Sequence, residues 1–171
     1  MIFLTQNLNN LKESDMTETV KRVKVLIINS KKEILLAHSN NEYHFPGGHV
    51  EKNESLKDAV KREIEEETGV KLNITNKKYF AKKIGYYKDW PEKGKNRKIE
   101  IYYYLINKDL EPDLNNIKYT ESEKQGNFKL QYIKLNEIEK VLKENIRKYG
   151  DKRGISTEML ELFKIFKDKI F

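Results

Sequence analysis

Three glutamates lie close together in a segment, Ser55–Thr68, whose apolar spacing predicts an amphipathic helix. At about 100° per residue, Glu63 and Glu67 lie on one side of this helix, and Glu66 lies about one residue step around from them. Carboxylates crowded at the C-terminal end of a helix repel one another and also meet the negative end of the helix dipole. A divalent cation would compensate for this charge, since Mg²⁺ is held by a few carboxylates together with water and substrate phosphate.

The alternative is an acidic helix end that is simply solvated. Lys57, Lys61 and Arg62 lie on the same predicted helix and could supply ordinary ion pairs. Charged helix faces are common on soluble proteins and need no further function. Taken alone, the run of acids therefore favours a solvated surface, and the surrounding residues must decide between the two interpretations.

The spacing of the surrounding residues is that of a known motif. Starting at Gly48, five residues lead to Glu54, seven more lead to Arg62 and Glu63, and then follow Ile64, Glu66, Glu67, Gly69 and Val70. This segment is similar to the Nudix box, G-x5-E-x7-R-E-U-x-E-E-x-G-U with U a bulky aliphatic residue, and every specified position is met. At average residue frequencies of roughly 5–7% each, a chance match anywhere in the chain has odds on the order of one in a million.

The resemblance extends beyond the box, over about residues 20–142. HFPGG (44–48) resembles the entry to the family's loop, and YIKLNEIEKVL (132–142) resembles its closing strand and helix. The resemblance implies an α/β protein with the Nudix fold, an α/β/α sandwich with a mixed central sheet. We accordingly divide the chain into an N-terminal extension (1–19), a Nudix hydrolase domain (20–149) and a C-terminal helix packed on that domain (150–171).

The resemblance also implies a role for each polar residue of the box. Three side chains and one backbone carbonyl would ligate Mg²⁺, or Mn²⁺ in its place: Glu63, Glu66, Glu67 and Gly47. Arg62 would orient these glutamates with Glu54 as its partner, because a forked guanidinium suits that task better than an ammonium. The predicted catalytic residues are therefore Glu54, Arg62 and the three glutamates.

The implied reaction is hydrolysis of a nucleoside diphosphate linked to another group, by attack of a metal-activated water at phosphorus. The substrate could be an oxidised nucleoside triphosphate, a dinucleoside polyphosphate or a nucleotide sugar. Glu121 and Glu123 are candidates for a distal acid that takes the proton of the water, although both could equally be surface acids in a polar loop.

A function of a different class is a Nudix domain that binds a nucleotide or RNA as a non-catalytic regulator. Its mark would be acids missing from the box, and none is missing. An isopentenyl diphosphate isomerase shares the fold, but isomerases of this kind use a cysteine, and this chain has no cysteine. The sequence therefore favours the hydrolase.

Aromatic and basic residues outside the box are candidates for substrate binding. Tyr86, Tyr87 and Lys88 lead into a lysine-rich loop that also contains Trp90. Aromatic faces could stack a nucleobase while lysines hold phosphates. The alternative is a hairpin with a basic tip, whose aromatic residues pack at the ends of its strands.

The composition favours a partner that carries negative charge. The 171 residues include 34 Lys and Arg against 27 Asp and Glu, a net charge of +7, although a lysine-rich soluble surface would give the same balance. No apolar run approaches the roughly 20 residues of a membrane span, and the N-terminus lacks the pattern of a secretory signal. We expect a cytoplasmic enzyme with a small-molecule nucleotide diphosphate substrate and no membrane or nucleic-acid partner. The resemblance also allows a homodimer.

The elements that must position these residues can be predicted from apolar periodicity. Residues 20–29 and 33–38 have the pattern of a hairpin, 73–87 and 97–107 of two long strands around a polar loop, and 127–135 of another strand. Asn136 is expected to cap one helix, and a last helix is expected from about Ser156. Strands on both sides of a central helix predict mixed α/β layers.

Overall fold

The computed structural model describes residues 1–74, 78–118 and 125–171. Within these residues seven strands form one sheet: β1 (Ile2–Gln6), β2 (Glu18–Ile28), β3 (Glu33–Ser39), β4 (Glu42–His44), β5 (Ala81–Tyr87), β6 (Arg97–Asn107) and β7 (Lys129–Lys134). The strand order is β1-β5-β6-β2-β3-β4, and β7 also pairs with β3. The sheet is mixed, because β1 is parallel to β5 and β2 to β6, whereas the other neighbours are antiparallel.

The helices lie on both faces of this sheet: α1 (Leu56–Thr68), α2 (Ile138–Tyr149), α3 (Ile155–Ile165) and the short α4 (Lys167–Ile170). Successive side chains of a strand point to opposite faces, so β2 contributes to two cores. Val23 and Val25 pack with Val60 of α1, whereas Leu26 and Ile28 pack with α2 and α3. The predicted α/β/α sandwich with a mixed sheet is therefore confirmed.

The central helix begins and ends where the sequence predicts. The Ser55 hydroxyl oxygen accepts a hydrogen bond from the Asp58 N–H at 3.1 Å, which satisfies one of the free donors of the first turn. At the other end Gly69 has a φ of 72°, a left-handed conformation that favours glycine. These two signals position the last two turns of α1, which carry the three glutamates.

Two predicted boundaries were wrong. The strand expected over 73–87 begins only at Ala81. Before it, Leu72 and Ile74 are buried in the core on the α1 side without belonging to a strand, so their apolar character reflects packing rather than pairing. Asn136 is also not the helix cap, since α2 begins at Ile138 with Glu137 at the capping position and no side-chain hydrogen bond there.

The two ends of the chain both contact the sheet. Residues 2–6 form β1, an edge strand beside β5, and Met159, Leu162 and Phe163 of α3 are buried in the core that α2 shares. The division into extension, domain and C-terminal helix stays a prediction. In the part of the chain that the structure describes, no helix combines the length and apolarity needed to cross a membrane.

Candidate functional site

The Arg62 guanidinium is the centre of a hydrogen-bond network beside α1. Its Nε and Nη2 donate to the two carboxylate oxygens of Glu54 at 2.9 and 3.0 Å. Its Nη1 donates to Glu63 at 2.8 Å and to Glu66 at 3.1 Å, and Nη2 also donates to the His49 carbonyl at 2.8 Å. One cation thereby holds three predicted site carboxylates and the loop that precedes the helix.

This network gives the carboxylates different proton affinities. The hydrogen bonds from Arg62 hold the pKa of Glu54 below its usual value. Burial raises the pKa of Glu63, although Arg62 opposes that shift. The hydrogen bond to Glu54 in turn raises the pKa of Arg62, so the guanidinium remains charged.

Two glycines let the loop of residues 46–50 pack against α1. Gly47 has a φ of 120°, and its N–H donates to Oε2 of Glu67 at 3.1 Å, a residue that is only 4% exposed. A Cβ on Gly47 would lie 2.4 Å from the Val23 carbonyl oxygen, and a Cβ on Gly48 would lie 2.5 Å from Oε2 of Glu63. The absence of both side chains therefore permits the close approach of the loop to β2 and to the glutamates.

The same loop is hydrogen-bonded along β2. The Val23 N–H donates to the Gly48 carbonyl at 3.0 Å, and the Val25 N–H donates to the Pro46 carbonyl at 2.9 Å. On its other side β2 pairs with β6 over its full length. The loop is therefore fixed to the centre of the sheet, and its Gly47 carbonyl has a defined position.

Lys24, which the sequence analysis did not single out, reaches this loop from the sheet. It is partly buried, and its Nζ donates to the Gly47 carbonyl at 2.6 Å and to the Phe45 carbonyl at 2.9 Å. Burial lowers the pKa of Lys24, while the nearby carboxylates of Glu67 and Glu63 favour its charged form. The available signal was a charged residue between two valines, the second of which directly precedes the apolar residues Leu26, Ile27 and Ile28.

The residue types fit a divalent metal such as Mg²⁺ or Mn²⁺. Carboxylates and a backbone carbonyl are the oxygen ligands that such cations prefer, and Glu63 and Glu66 already share one nitrogen of Arg62. Among the described residues, no three His, Cys, Asp or Glu side chains are already arranged to hold a metal ion. The oxygen atoms that could ligate a metal are close together, but they accept hydrogen bonds from protein groups instead.

A cavity of about 750 Å³ adjoins the loop, on the face of the sheet that carries α2 and α3. Five basic side chains line it: Arg22, Lys24, Lys83, Lys152 and Arg153. Phe45, Tyr87 and Trp90 supply aromatic surface, and the Arg97 guanidinium lies 4.5 Å from the centre of the Trp90 ring. A pocket of this size can bury a small organic ligand, and its lining suits an anion that carries a planar ring.

The predicted substrate residues occupy different places. Tyr87 lines the cavity, whereas the hydroxyl of Tyr86 donates to the Glu13 carboxylate at 2.6 Å, away from the cavity. Lys88 is exposed and outside the lining. The two candidates for a distal acid, Glu121 and Glu123, lie outside the described residues.

His44 also lines the cavity and is neutral. Burial, with a smaller contribution from Lys24, lowers the pKa of His44 to about 3. Its Nε2 lies 3.1 Å from the Ser39 hydroxyl oxygen. A neutral, hydrogen-bonded imidazole fits packing or contact with a substrate.

A charged cluster that sequence reasoning missed lies in the cavity wall. The Glu158 carboxylate of α3 accepts hydrogen bonds from the Lys83 ammonium and from the Tyr103 hydroxyl. Lys83 is 6% exposed and Tyr103 has no exposed surface, and burial raises the pKa of Tyr103 so that its hydroxyl keeps its proton. The three residues come from different elements, so no local sequence signal could have joined them.

Comparisons with known proteins identify the family of this chain. A family model described as the NUDIX domain matches residues 18–152. Over 82 residues, 46% of this chain, the sequence is 38% identical to an 8-oxo-dGTP diphosphatase of Buchnera aphidicola subsp. Acyrthosiphon pisum, and the match spans 59% of that relative.

Two solved structures show a similar fold. The E. coli ORF135 protein matches with a TM-score of 0.57 at 20% identity, covering 92% of this chain and 96% of that protein. A MutT protein from Bacillus halodurans matches with a TM-score of 0.52 at 20% identity, covering 71% of this chain and 72% of that protein. At these identities the likeness concerns the fold alone.

Proposed function

The chain belongs to the Nudix family, and we propose that it is a divalent-metal-dependent hydrolase that cleaves the diphosphate linkage of a nucleoside diphosphate joined to another group. The observation that carries this proposal is the convergence of Glu54, Glu63 and Glu66 on the single guanidinium of Arg62. This acidic centre adjoins the cavity, because Lys24 both lines the cavity and contacts the Gly47 carbonyl. Metal ligands and a binding site for an anionic ligand are thus side by side.

Each group of side chains has a distinct task in this reaction. Glu63, Glu66, Glu67 and the Gly47 carbonyl would hold the metal, whose charge would neutralise the diphosphate oxygens and lower the pKa of a water that attacks phosphorus. Arg62 keeps the carboxylates oriented through its hydrogen bonds. Glu54 holds Arg62 in place, because its two carboxylate oxygens accept hydrogen bonds from Nε and Nη2 of the guanidinium.

The cavity holds the rest of the substrate. Arg22 and Lys24 lie on the same face of β2 and offer positive charge to the phosphates, while Tyr87 and Trp90 offer ring surface for stacking a nucleobase. The proton of the attacking water goes to a carboxylate, and the candidates remain the glutamates of α1 and the pair Glu121 and Glu123.

The Buchnera relative supports an oxidised nucleoside triphosphate as the first substrate to test, since that protein is named an 8-oxo-dGTP diphosphatase. Dinucleoside polyphosphates and nucleotide sugars are the other classes that the sequence leaves open. Binding of a nucleotide or RNA without turnover is the alternative function, and the presence of every acid of the box argues against it.

The test is release of phosphate or pyrophosphate from 8-oxo-dGTP, dinucleoside polyphosphates, ADP-ribose and nucleotide sugars, with and without Mg²⁺. Glu67→Gln, purified in the same way, is the matched control for contaminating phosphatases. Metal-dependent cleavage of one compound by the wild-type protein alone is the expected result. Nucleotide binding without any cleavage would contradict the hydrolase and favour the regulator.

A further inference from the structure

We propose that Lys24 acts as a cation of the metal site. Its ammonium binds the Gly47 carbonyl in the metal-free protein and leaves that carbonyl when a divalent metal binds. Lys24 thereby sets the metal affinity of a site whose existence rests on the proposed function. Lys24 belongs neither to the Nudix box nor to the predicted metal ligands. From its position on β2 it modulates the affinity of those ligands for the metal.

Lys24 makes two short contacts with the loop that contains Gly47. Its Nζ lies 2.6 Å from the Gly47 carbonyl oxygen and 2.9 Å from the Phe45 carbonyl oxygen, distances typical of charge-assisted hydrogen bonds. The N–H of the same glycine donates to the buried carboxylate of Glu67. Gly47 is therefore held between a cation at its carbonyl and an anion at its N–H.

A metal ion and the Lys24 ammonium would compete for one oxygen atom, that of the Gly47 carbonyl. Mg²⁺ binds its oxygen ligands at about 2.1 Å. Nζ lies 2.6 Å from the Gly47 oxygen, so a metal on that oxygen would be within roughly 5 Å of Nζ from any direction of approach. Two cations at such a separation repel each other strongly in a partly buried place. The metal and the ammonium therefore each bind the Gly47 oxygen more weakly when the other is also bound.

The cavity can receive the Lys24 ammonium after it leaves the Gly47 carbonyl. Lys24 and Arg22 line the cavity, so an ammonium released from Gly47 stays close to the space that the phosphates of a nucleotide would fill. A nucleotide that pairs with the released ammonium favours metal binding, and by linkage the metal favours nucleotide binding to the same degree. Lys24 thus couples the two ligands through one side chain.

The test is a titration with Mn²⁺ in the absence of nucleotide, in which the electron paramagnetic resonance signal of the free ion measures binding. Lys24→Met removes the charge and the donor, and Lys24→Gln removes the charge but keeps a donor. Lys21→Met is the matched control, because Lys21 is an exposed lysine on the same strand. Both Lys24 variants should bind Mn²⁺ about tenfold more tightly or better, and the Lys21 variant should bind like the wild type.

A second titration adds a non-hydrolysable nucleotide with a methylene-bridged diphosphate. The nucleotide should tighten Mn²⁺ binding more in the wild type than in Lys24→Met. Circular dichroism verifies folding, and Lys24→Gln serves as the test variant if Lys24→Met does not fold.

The outcomes separate this inference from the function on which it rests. Equal or weaker Mn²⁺ binding by the Lys24 variants, with clear binding by the wild type, would overturn the role of Lys24 and leave the hydrolase intact. Absence of Mn²⁺ binding from the wild type and all variants would overturn both. Binding by the Lys24 variants alone would support the competition directly.

Discussion

Alanine at Gly47 and alanine at Gly48 should damage this protein in different ways, although the two glycines are adjacent. A Cβ at position 47 would lie 2.4 Å from the carbonyl oxygen of Val23, a backbone atom held by the pairing of β2 with β6. The φ of 120° at Gly47 is also strained for any residue with a side chain. Strain of about 1–3 kcal/mol and a steric cost of about 1–3 kcal/mol together destabilise the protein by roughly 2–6 kcal/mol.

Alanine at Gly48 meets a different neighbour. Its Cβ would lie 2.5 Å from Oε2 of Glu63, the end of a side chain that can rotate, and the backbone φ at Gly48 is outside the range that requires glycine. The cost in stability should stay below about 1.5 kcal/mol. The carboxylate must move, however, and a displacement of about 1 Å in a catalytic group lowers turnover by about a hundredfold.

Both variants can be compared by thermal melting and by metal-dependent turnover. At about 2–4 °C per kcal/mol for a chain of this size, Gly47→Ala should lower Tm by roughly 4–24 °C and Gly48→Ala by less than about 6 °C. Gly94→Ala is the control for backbone strain, since Gly94 also has a positive φ but no atom within 4 Å of its Cβ position. Full turnover by Gly48→Ala would refute the placement of Glu63 in the site, and a wild-type Tm for Gly47→Ala would refute the steric reasoning.

Three further predictions concern single side chains. Glu67→Gln should lower kcat by about a hundredfold or more at an unchanged Tm, because the amide can still accept the loop N–H; near-wild-type rates would remove its metal role. Trp90→Ala should raise KM by about tenfold with little change in kcat, and an unchanged KM would exclude stacking on that ring. Burial alone would raise the pKa of Glu100, but the Tyr102 hydroxyl and two lysines lower it to about 2, so its stabilising effect is present above pH 4.5 and is lost as the pH falls toward 2. Glu100→Gln should therefore flatten the dependence of Tm on pH in that range, whereas Glu111→Gln, at an exposed position, should not.

The parts of the site that could be predicted from the sequence depend on local chemistry. The bounds of α1 follow from a capping serine and a glycine in the left-handed conformation, so the last two turns with Glu63, Glu66 and Glu67 could be placed. The pairing of Arg62 with Glu54 also spans few residues and was predicted by resemblance; both Nε and Nη2 take part in it.

The rest depends on contacts between distant parts of the chain. Lys24 and Gly47 are joined only because the loop runs along β2, and Lys83 meets Glu158 only because α3 packs over β5. Periodicity describes which face of an element is apolar, but it does not say which other element covers that face. For the same reason the buried Ile74 was mistaken for a strand residue, since burial in a loop and burial in a sheet leave the same pattern.

The hydrogen bonds between β2 and residues 46–50 have a consequence for the dynamics of the protein. Because Val23 and Val25 donate to this loop from the middle of the sheet, the loop belongs to the cooperative unit that opens only when the sheet itself unfolds. In hydrogen exchange, the amides of Val23 and Val25 should be among the slowest of the chain. Adaptation to a new substrate therefore has to come from cavity residues outside this loop, while the loop that carries the proposed Gly47 ligand keeps a rigid backbone.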